Sequence, residues 1–367
     1  MNYELAWGND NLEVLGDIAN IQKGTSITKG KTTEGNIPVV AGGKDIAYYH
    51  NASNRDGNII TISASGAYAG FVNYFTTPIF ASDCNTVKSK DESVISTKLI
   101  YVLLRTIQPL IYELQKGQAQ PHVYGSDIAN IKIPIPPIDV QKQIVEEIGK
   151  IEKSNNNAKS LIDKNLSDIS IIINGLGSTV SIEEYFDINT LTLNPTSCWK
   201  DEFFTYVDID SVGKGDGCIS FDKKILGKDA PSRARRVAED RTVIVSTVRP
   251  NLKGFAYIDS VPEKTIFSTG FALLKSKNEE NYISKLLYYL FMFSDNLMKQ
   301  METAMPKAAY PSINKEDIDN FKIPLLTIDE QKRIVAQIEA LELEITKART
   351  LIESAASEKQ AILDKYL

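Results

Sequence analysis

The sequence predicts an α/β (α+β) protein with two similar domains, each followed by a long helix, so that the chain forms a pseudo-twofold internal repeat. The first observation is a repeated stretch: residues 127–153 and 317–343 align at a constant offset of 190, with fourteen of 27 positions identical and no gap. Such a match inside 367 residues indicates a tandem duplication. The segments before each copy also align, at offsets of 183 to 187. Finally, each copy runs into a long segment with one apolar stripe.

The composition is ordinary for a soluble globular protein, with 43% hydrophobic and 24% charged residues. A chain of 367 residues is long enough for two domains with cores of their own. No apolar run approaches the roughly 18 residues of a membrane helix, and residues 1–10 lack the apolar core of a signal peptide. Three unclustered cysteines argue against a disulfide framework or a zinc site. We therefore expect a cytoplasmic protein that does not associate with membranes.

The first domain is predicted over residues 1–137 and contains an antiparallel or mixed sheet. Its short apolar runs, separated by turn residues, occur at 37–43, 45–51, 58–66, 70–75 and 85–89. This spacing is typical of strands joined by exposed loops. A helix is predicted over 96–116, because leucine and isoleucine recur on one of its faces.

The second domain is predicted over residues 176–327 and repeats this plan. Residues 243–258 align with 59–75, and the helical stretch 284–291 aligns with 97–104. The connecting segments have diverged far more than these elements. A duplicated scaffold with dissimilar loops indicates two recognition surfaces that read different things.

Two long helices are predicted over residues 138–175 and 328–367. Asp139 and Asp329 are expected to cap them, because a short carboxylate can accept bonds from the first free N–H groups. The prolines before Asp139 prevent an earlier start. Apolar residues then recur in a 4,3,4,3 rhythm, which leaves each helix with a stripe that needs a partner surface. The predicted pairing seam consists of Ile144, Ile148, Ile151, Ile162 and Ile169 in the first helix and Ile334, Ile338, Leu341, Ile345, Ile352 and Ile362 in the second.

The polar positions of this seam bear on how the helices pair. Asn155 would face Ile345 if the two copies met in parallel register, so antiparallel pairing is favoured. The alternative is that each helix packs separately on its own domain.

The net charge of −6 does not favour nucleic-acid binding, but the charge is unevenly distributed. Residues 223–253 contain nine Lys and Arg against three Asp and Glu, whereas the repeated helices are acidic. A local basic patch can hold phosphate on a chain that is acidic on average. The average charge therefore neither supports nor excludes nucleic-acid binding.

No catalytic or cofactor signature occurs in the sequence. The chain lacks a GxxxxGK[ST] phosphate loop, a GxGxxG after a strand, and any His/Cys/carboxylate cluster with metal spacing. Residues 194–197 only poorly imitate the asparagine–proline–proline–aromatic loop of amino-methylating enzymes. His122 aligns with Ser312, so the two copies share no acid–base group there. We expect no catalytic, cofactor or metal site in this chain.

The repeated segments carry a resemblance to a known family. The motif residues are Ile133, Pro134, Ile138, Asp139, Gln141, Ile144 and Val145 in the first copy and Ile323, Pro324, Ile328, Asp329, Gln331, Ile334 and Val335 in the second. The lead-in segments 120–123 and 310–313 also fit. Over essentially its whole length, the chain resembles the specificity (S) subunit of type I restriction–modification systems. These motifs are specific evidence for the architecture and weak evidence for which bases are read.

The resemblance implies a non-catalytic DNA-recognition subunit. Each domain would be a target recognition domain that reads one half of an asymmetric bipartite site in double-stranded DNA, and the antiparallel helices would set the spacing. Modification subunits, two of them, would dock on the chain and supply S-adenosylmethionine and the methyl-transfer site. Restriction subunits would join that core. The chain itself would bind no cofactor.

The candidate DNA-contacting residues lie mainly in loops that the two domains do not share. Arginine and asparagine can read guanine and adenine edges, whereas lysine more often positions phosphate. The second domain offers the stronger candidates, although a solvated surface charge explains each residue about as well. The candidates are Arg233, Arg235, Arg236, Arg249, Asn251 and Lys253 in the second domain and Lys23, Thr25, Lys29, Lys31, Lys44 and Arg55 in the first.

Two functions from other classes remain open on the residues alone. A protein-binding coiled-coil scaffold without DNA readout fits the acidic average charge. A self-contained DNA methyltransferase is disfavoured by the missing cofactor and catalytic loops. Sequence-selective DNA binding by an assembled complex separates the first from DNA recognition, and binding of S-adenosylmethionine by the chain alone separates the second.

Overall fold

A computed structural model describes residues 12–117, 119–177, 179–305 and 311–367. The acidic first ten residues and Tyr310 of the second lead-in segment lie outside the described residues. The chain divides into two compact units. Unit 1 comprises the residues up to Lys159 together with Thr350–Leu367, and unit 2 comprises Ser160–Arg349.

The first half of the chain consists of short strands followed by short helices and one long helix. Its strands are β1 (Leu12–Val14), β2 (Ala19–Lys23), β3 (Ile37–Val40), β4 (Tyr48–His50), β5 (Ile59–Ser63), β6 (Val72–Phe75), β7 (Phe80–Ala81), β8 (Cys84–Ser89) and β9 (Lys132–Pro134). Its helices are α1 (Leu15–Ile18), α2 (Thr97–Thr106), α3 (Gln108–Tyr112), α4 (Gly125–Ala129) and the long α5 (Ile138–Asn174).

The strands of unit 1 form three small sheets. Strands β2, β8, β5 and β6 form an antiparallel sheet in that order, β4, β3 and β7 form a second sheet in which β3 and β7 are parallel, and β1 pairs with β9. Helix α2 contributes Leu99 and Leu103, both fully buried, to the core beside Ile60 and Ile62 of the central strand. The sheets are thus covered by helices on one side, as expected of an α+β domain.

The second half of the chain repeats this order, with one additional strand and one additional short helix among the described residues. Its strands are β10 (Thr179–Ser181), β11 (Phe186–Ile188), β12 (Phe203–Val207), β13 (Lys224–Leu226), β14 (Ala234–Arg236), β15 (Thr242–Ser246), β16 (Phe255–Ile258), β17 (Thr265–Ser268), β18 (Phe271–Ser276) and β19 (Lys322–Pro324). Its helices are α6 (Ile182–Tyr185), α7 (Pro195–Cys198), α8 (Ser284–Phe293), α9 (Asp295–Ala304), α10 (Lys315–Asn320) and the long α11 (Ile328–Tyr366).

The sheets of unit 2 repeat those of unit 1. The antiparallel sheet β11-β18-β15-β16 matches β2-β8-β5-β6, and the pair β10-β19 matches β1-β9. The remaining sheet, β13-β12-β17-β14, matches β4-β3-β7 and has the same parallel pair, here β12 with β17. It gains β14 at its edge. The predicted fold class and internal repeat are therefore confirmed.

The two long helices begin at Ile138 and Ile328. Pro137 O accepts the first helical bond from Gln141 N at 3.0 Å, and Thr327 O accepts it from Gln331 N at 3.0 Å. The prediction that Asp139 and Asp329 cap the helices is wrong, because both lie inside the first turn. There their carboxylates still face the positive end of the helix dipole, which explains acidic residues at these positions equally well.

The long helices pair antiparallel within each unit, as predicted. In unit 1, Lys359 Nζ lies 3.2 Å from Glu152 Oε1, and Lys365 Nζ lies 3.2 Å from Glu147 Oε1. In unit 2, Asn165 Nδ2 donates to Glu344 Oε2 at 2.8 Å. Partner numbers fall along one helix as they rise along the other. The predicted seam residues of both helices are all buried or half-buried.

The same helices also pack on the domains. Both alternatives are therefore found at once: the helices pair with each other, and each packs on a domain. Ile144 and Ile148 belong to the core of unit 1, and Ile334 and Ile338 belong to the core of unit 2.

The helix predicted over 96–116 is wrong in its extent, because it breaks at Ile107 into α2 and α3. Pro109 causes the break, since its ring has no N–H to donate and clashes with the carbonyl four residues earlier.

Candidate nucleic-acid interface

Each unit presents a tight turn at the end of its central hairpin, and the two turns share one backbone conformation. We call residues 66–70, between β5 and β6, and residues 249–253, between β15 and β16, the hairpin tips. They correspond at an offset of 183. The first and last residue of each tip have positive φ: 83° at Gly66, 89° at Gly70, 48° at Arg249 and 54° at Lys253.

The base of each hairpin tip is fixed by the same bonds to the lead-in segment. Gly66 N donates to Pro121 O at 3.0 Å, and Arg249 N donates to Pro311 O at 2.9 Å. Beside these bonds, Ser65 forms a β-bridge with His122 and Val248 forms one with Ser312. Two loops with different sequences are therefore held by the same backbone bonds. The anchoring is shared by the two units, and only the side chains on the loops differ. The lead-in segments in the sequence owe their recurrence to this role.

The hairpin tip of unit 2 exposes two of the predicted residues. The side chains of Arg249 and Asn251 are exposed, whereas Lys253 is half-buried and donates to Met292 O at 2.7 Å. Met292 lies in the last turn of α8, where an ammonium group bonds free carbonyls and complements the helix dipole. Lys253 therefore stabilises the fold, and Arg249 and Asn251 face solvent.

The other predicted arginines of unit 2 are brought to the same place by the turn after β17. Thr269 N donates to Arg233 O at 2.8 Å, and the next residue, Gly270, accepts a bond from Thr247 N at 2.9 Å. This turn thus joins the strand that carries the arginines to the base of the hairpin. The sequence places these residues about fifteen positions from the tip, and the fold brings them to one side.

These three arginines differ in exposure. Arg233 is exposed, whereas Arg235 and Arg236 are half-buried in β14. Arg235 Nη1 donates to Ala234 O at 2.7 Å and Arg236 Nη2 to Thr269 O at 3.4 Å. Burial lowers the pKa of Arg236, and its Nε is buried without a hydrogen-bond partner among the described residues. Because this Nε is buried, Arg236 can offer a nucleic-acid acceptor only the N–H groups at the end of its guanidinium.

Unit 1 distributes its predicted residues more widely. Lys23, Thr25 and the turn Lys29–Lys31 are exposed at and beyond the end of β2. Arg55 is half-buried and donates to Thr86 Oγ1 at 3.1 Å, to Asn54 O at 2.7 Å and to Lys23 O at 3.0 Å. The guanidinium of Arg55 therefore ties β2 to the neighbouring loop. DNA contact by any of these residues stays a prediction.

The structure adds a residue that the sequence reasoning missed. Tyr68 occupies the middle of the hairpin tip in unit 1, and its side chain is 44% exposed. The predicted residue Lys44 places its ammonium group 4.7 Å from the centre of the Tyr68 ring, a cation–π contact. The offset of 183 that aligns the hairpins also aligns Tyr68 with Asn251. This alignment with a predicted DNA-contacting residue was the sequence signal that could have identified Tyr68.

Two kinds of feature are absent from the described residues. No group of three or more His, Cys, Asp or Glu there is placed to hold a metal ion. No helix in the described part of the chain is long and apolar enough to cross a membrane.

The two similarly built domains each combine a hairpin tip with exposed cationic and polar side chains, an arrangement suited to contact with a polyanion. A family model described as the type I restriction modification DNA specificity domain matches residues 12–165 and 179–354. The chain belongs to this family and carries two of its domains in tandem. As a family of DNA-specificity domains, it consists of recognition proteins and not of catalysts, which agrees with the sequence-based expectation.

Similar proteins and structures agree with this membership. The type I restriction enzyme MjaVIII specificity subunit of Methanocaldococcus jannaschii is 26% identical over 344 residues, 83% of this chain and 75% of that protein. Another protein of that organism, named for the MjaX specificity subunit, is 26% identical over 294 residues, 72% of this chain and 64% of its own length. The chain therefore spans somewhat less than two thirds of the latter.

Solved structures with similar folds cover nearly the whole chain. The S subunit of a type I restriction–modification system from M. genitalium has a TM-score of 0.68 at 17% identity, covering 98% of this chain and 97% of its own. A chain from a study of complex assembly and conformational transition of the type I R-M system has a TM-score of 0.51 at 20% identity, covering 97% of both chains. At these identities the likeness shows the fold.

Proposed function

We propose that the chain is the specificity subunit of a type I restriction–modification complex and that each unit reads one half of a bipartite target in double-stranded DNA. The observation that carries this proposal is the pair of hairpin tips, which share backbone angles and anchoring bonds but present different side chains. A fixed scaffold with variable tips is the arrangement that recognition of two different sequences requires.

The two half-sites are proposed to differ, so that the target is asymmetric. Unit 2 presents Arg249 and Asn251 at its hairpin tip, and these side chains suit guanine and adenine edges. Unit 1 presents Tyr68 and Lys44, which have neither the guanidinium fork of Arg249 nor the carboxamide of Asn251. Different chemistry at equivalent positions supports different bases at the two halves.

We propose that two modification subunits dock on the long helices and that they, not this chain, bind S-adenosylmethionine. The exposed leucines Leu161 on α5 and Leu343 and Leu351 on α11 are the candidate docking positions. The helices would also set the spacing between the half-sites. Restriction subunits would join this core, and the complex would act in the cytoplasm on the DNA there.

The proposal is tested by co-expressing the chain with its modification subunit and mapping methylated sites across a genome. The expected result is methylation at one asymmetric bipartite sequence with a fixed spacer. The modification subunit expressed alone is the control and should methylate no specific sequence. An assembled complex that binds DNA without sequence preference would instead support a protein-binding scaffold.

A further inference from the structure

We propose that Tyr68 is a specificity-determining residue of unit 1 that contacts a base of its half-site, as Asn251 does in unit 2. This inference rests on the proposed function and goes beyond it by assigning one position of the repeat to base contact in both halves. It also assigns a different role to Lys44, which supports the ring of Tyr68 and lies beside the phosphate chain.

The position of Tyr68 follows from the way in which its hairpin tip is held. Gly66 and Gly70 fix the ends of the tip in the left-handed region, and Gly66 N is bonded to Pro121 O at 3.0 Å. Ala69 is completely buried under the turn. Residue 68 is therefore the one large side chain of this tip, and it is directed to solvent from a rigid base.

The surroundings of Tyr68 hold its ring without covering it. The ammonium group of Lys44 lies 4.7 Å from the ring centre and 5.5 Å from that of Phe71. The main chain at Lys44 is fixed in turn, because Lys44 O accepts a bond from Asn73 Nδ2 at 2.9 Å. An exposed aromatic ring that would otherwise be mobile is thus restrained before any ligand binds, which lowers the entropy lost on binding.

The chemistry of Tyr68 suits a base and not a phosphate group. A phenol ring offers an apolar edge that fits the 5-methyl group of thymine, and a hydroxyl that can donate or accept at a base edge. A cation beside the ring is suited to the phosphate chain, which carries no sequence information. One pair of side chains thereby provides both reading and positioning.

The equivalent position of unit 2 supports the assignment independently. Asn251 aligns with Tyr68 at the offset of 183 and is exposed in a tip with the same pair of positive φ angles. An amide side chain is the usual reader of adenine. Two different base-reading side chains at one structural position are expected if that position reads a base in both halves.

The test compares Tyr68→Ala with Asn251→Ala in the full chain assembled with its modification subunit. Binding is measured to duplexes in which single base pairs of either half-site are changed, and methylated sites are mapped in parallel. Tyr68→Ala is expected to reduce discrimination at a base pair of one half-site by roughly tenfold or more, and Asn251→Ala at a base pair of the other. Tyr68→Phe retains the ring and is expected to retain most of the discrimination.

Several results would overturn the assignment. They are equal weakening of both half-sites by Tyr68→Ala, effects of both variants on the same half-site, and an unchanged preference in both variants. Val94→Ala, which truncates another exposed apolar side chain of unit 1, is the matched control and should leave both half-sites unaffected. A wild-type complex without any sequence preference would refute the proposed function itself, whereas a selective wild type with unselective effects of the variants refutes only this inference.

Discussion

Arg249 and Lys253 adopt a backbone conformation for which unit 1 uses glycine. A left-handed residue other than glycine costs roughly 1–2 kcal/mol. Lys253 offsets this cost through its bond from Nζ to Met292 O, at 2.7 Å, at the end of α8. For Arg249, which is exposed, the equivalent Gly66 shows that the turn itself does not need an arginine. Because the turn does not require the strained arginine, its side chain is a candidate for function.

Replacing Arg249 by glycine should therefore separate recognition from folding. Arg249→Gly fits the backbone, so we expect the melting temperature to stay within a few degrees of the wild type. Recognition of one half-site should be lost or relaxed. Arg249→Lys retains the charge but not the bidentate fork. If Arg249→Lys restores full selectivity in methylation mapping, the residue contacts phosphate and not guanine.

The repeated motif contains a glutamine whose burial and hydrogen bonds explain why it occurs in both copies. Gln141 is 1% exposed; its Oε1 accepts from Ser96 N at 3.0 Å, and its Nε2 donates to Val94 O at 2.7 Å and to Pro136 O at 2.9 Å. Gln331, completely buried, makes the same set of bonds with Ile283 N, Asn281 O and Leu326 O. Each glutamine joins the start of a long helix to the loop before the main domain helix.

Removing this amide should destabilise the unit that contains it. Gln141→Leu leaves one buried N–H and two carbonyls without their partner, which should lower the free energy of unfolding of unit 1 by about 3 kcal/mol. Gln331→Leu should act on unit 2. Gln143→Leu, on the exposed side of the same helix, is the control and should change stability by less than about 0.5 kcal/mol. Denaturation monitored separately for the two units by hydrogen exchange distinguishes these effects.

At the scale of elements, the two copies of the helix seam differ at one informative position. Asn155 in α5 corresponds to Ile345 in α11, which is 5% exposed. Asn155 Oδ1 is buried and has no hydrogen-bond partner among the described residues. Asn155 lines a cavity of about 390 Å³ in unit 1 together with Ile148 and Ile352. The first copy thus has a polar group in its seam that the second copy lacks.

Giving unit 1 the residue of unit 2 should stabilise it. Asn155→Ile removes an unpartnered amide oxygen and adds apolar surface beside the cavity, so we expect a gain of about 1–2 kcal/mol and a rise in melting temperature of a few degrees. The reverse exchange, Ile345→Asn, should cost at least as much, because that position is closed. A destabilised Asn155→Ile variant would mean that the amide is needed for helix register.

The sequence predicted elements well where periodicity decided the matter and less well at their ends. Antiparallel pairing followed from the seam, because a repeat of 3.5 residues continues over many turns and exposes conflicts between partners. The capping residue did not follow from the sequence, since an acidic residue such as Asp139 is favourable both before a helix and in its first turn. The break at Ile107 depended on weighing Pro109 against an otherwise continuous apolar face.

At the scale of the whole molecule, duplication made the architecture predictable and left the interface less so. Matching segments such as 127–153 and 317–343 fixed the order of elements, because two copies of one fold must agree. The candidate reading residues lie where the copies differ, so the repeat shows which positions correspond but not which side chains contact DNA. Arg55 illustrates the difficulty: its charge predicted a DNA contact, and the fold gives it three protein acceptors. Tyr68 was missed because it is uncharged.

The long helices carry exposed leucines that the folded chain does not cover. Leu351 in unit 1 is 50% exposed, and Leu343 and Leu161 in unit 2 are 56% and 37% exposed. Each lies off the predicted seam, and α5 exposes Ile171 as well, at 68%. Single exposed leucines are common on protein surfaces, so it is their place on the long helices that makes them candidate docking positions for the modification subunit.

Placing a charge at these leucines should weaken assembly without affecting the fold. Leu351→Lys and Leu343→Lys are expected to reduce affinity for the modification subunit by roughly tenfold or more each, because a buried lysine without a partner is costly at a protein interface. Their melting temperatures should match that of the wild-type chain, since both positions are exposed in it. Val94→Lys and Leu191→Lys, equally exposed but outside the long helices, are the matched controls. Affinity is measured by titrating the purified modification subunit at fixed salt, which keeps general electrostatic effects constant. If the control variants weaken binding as much as the helix variants, added charge alone is responsible and the helices are not the docking surface.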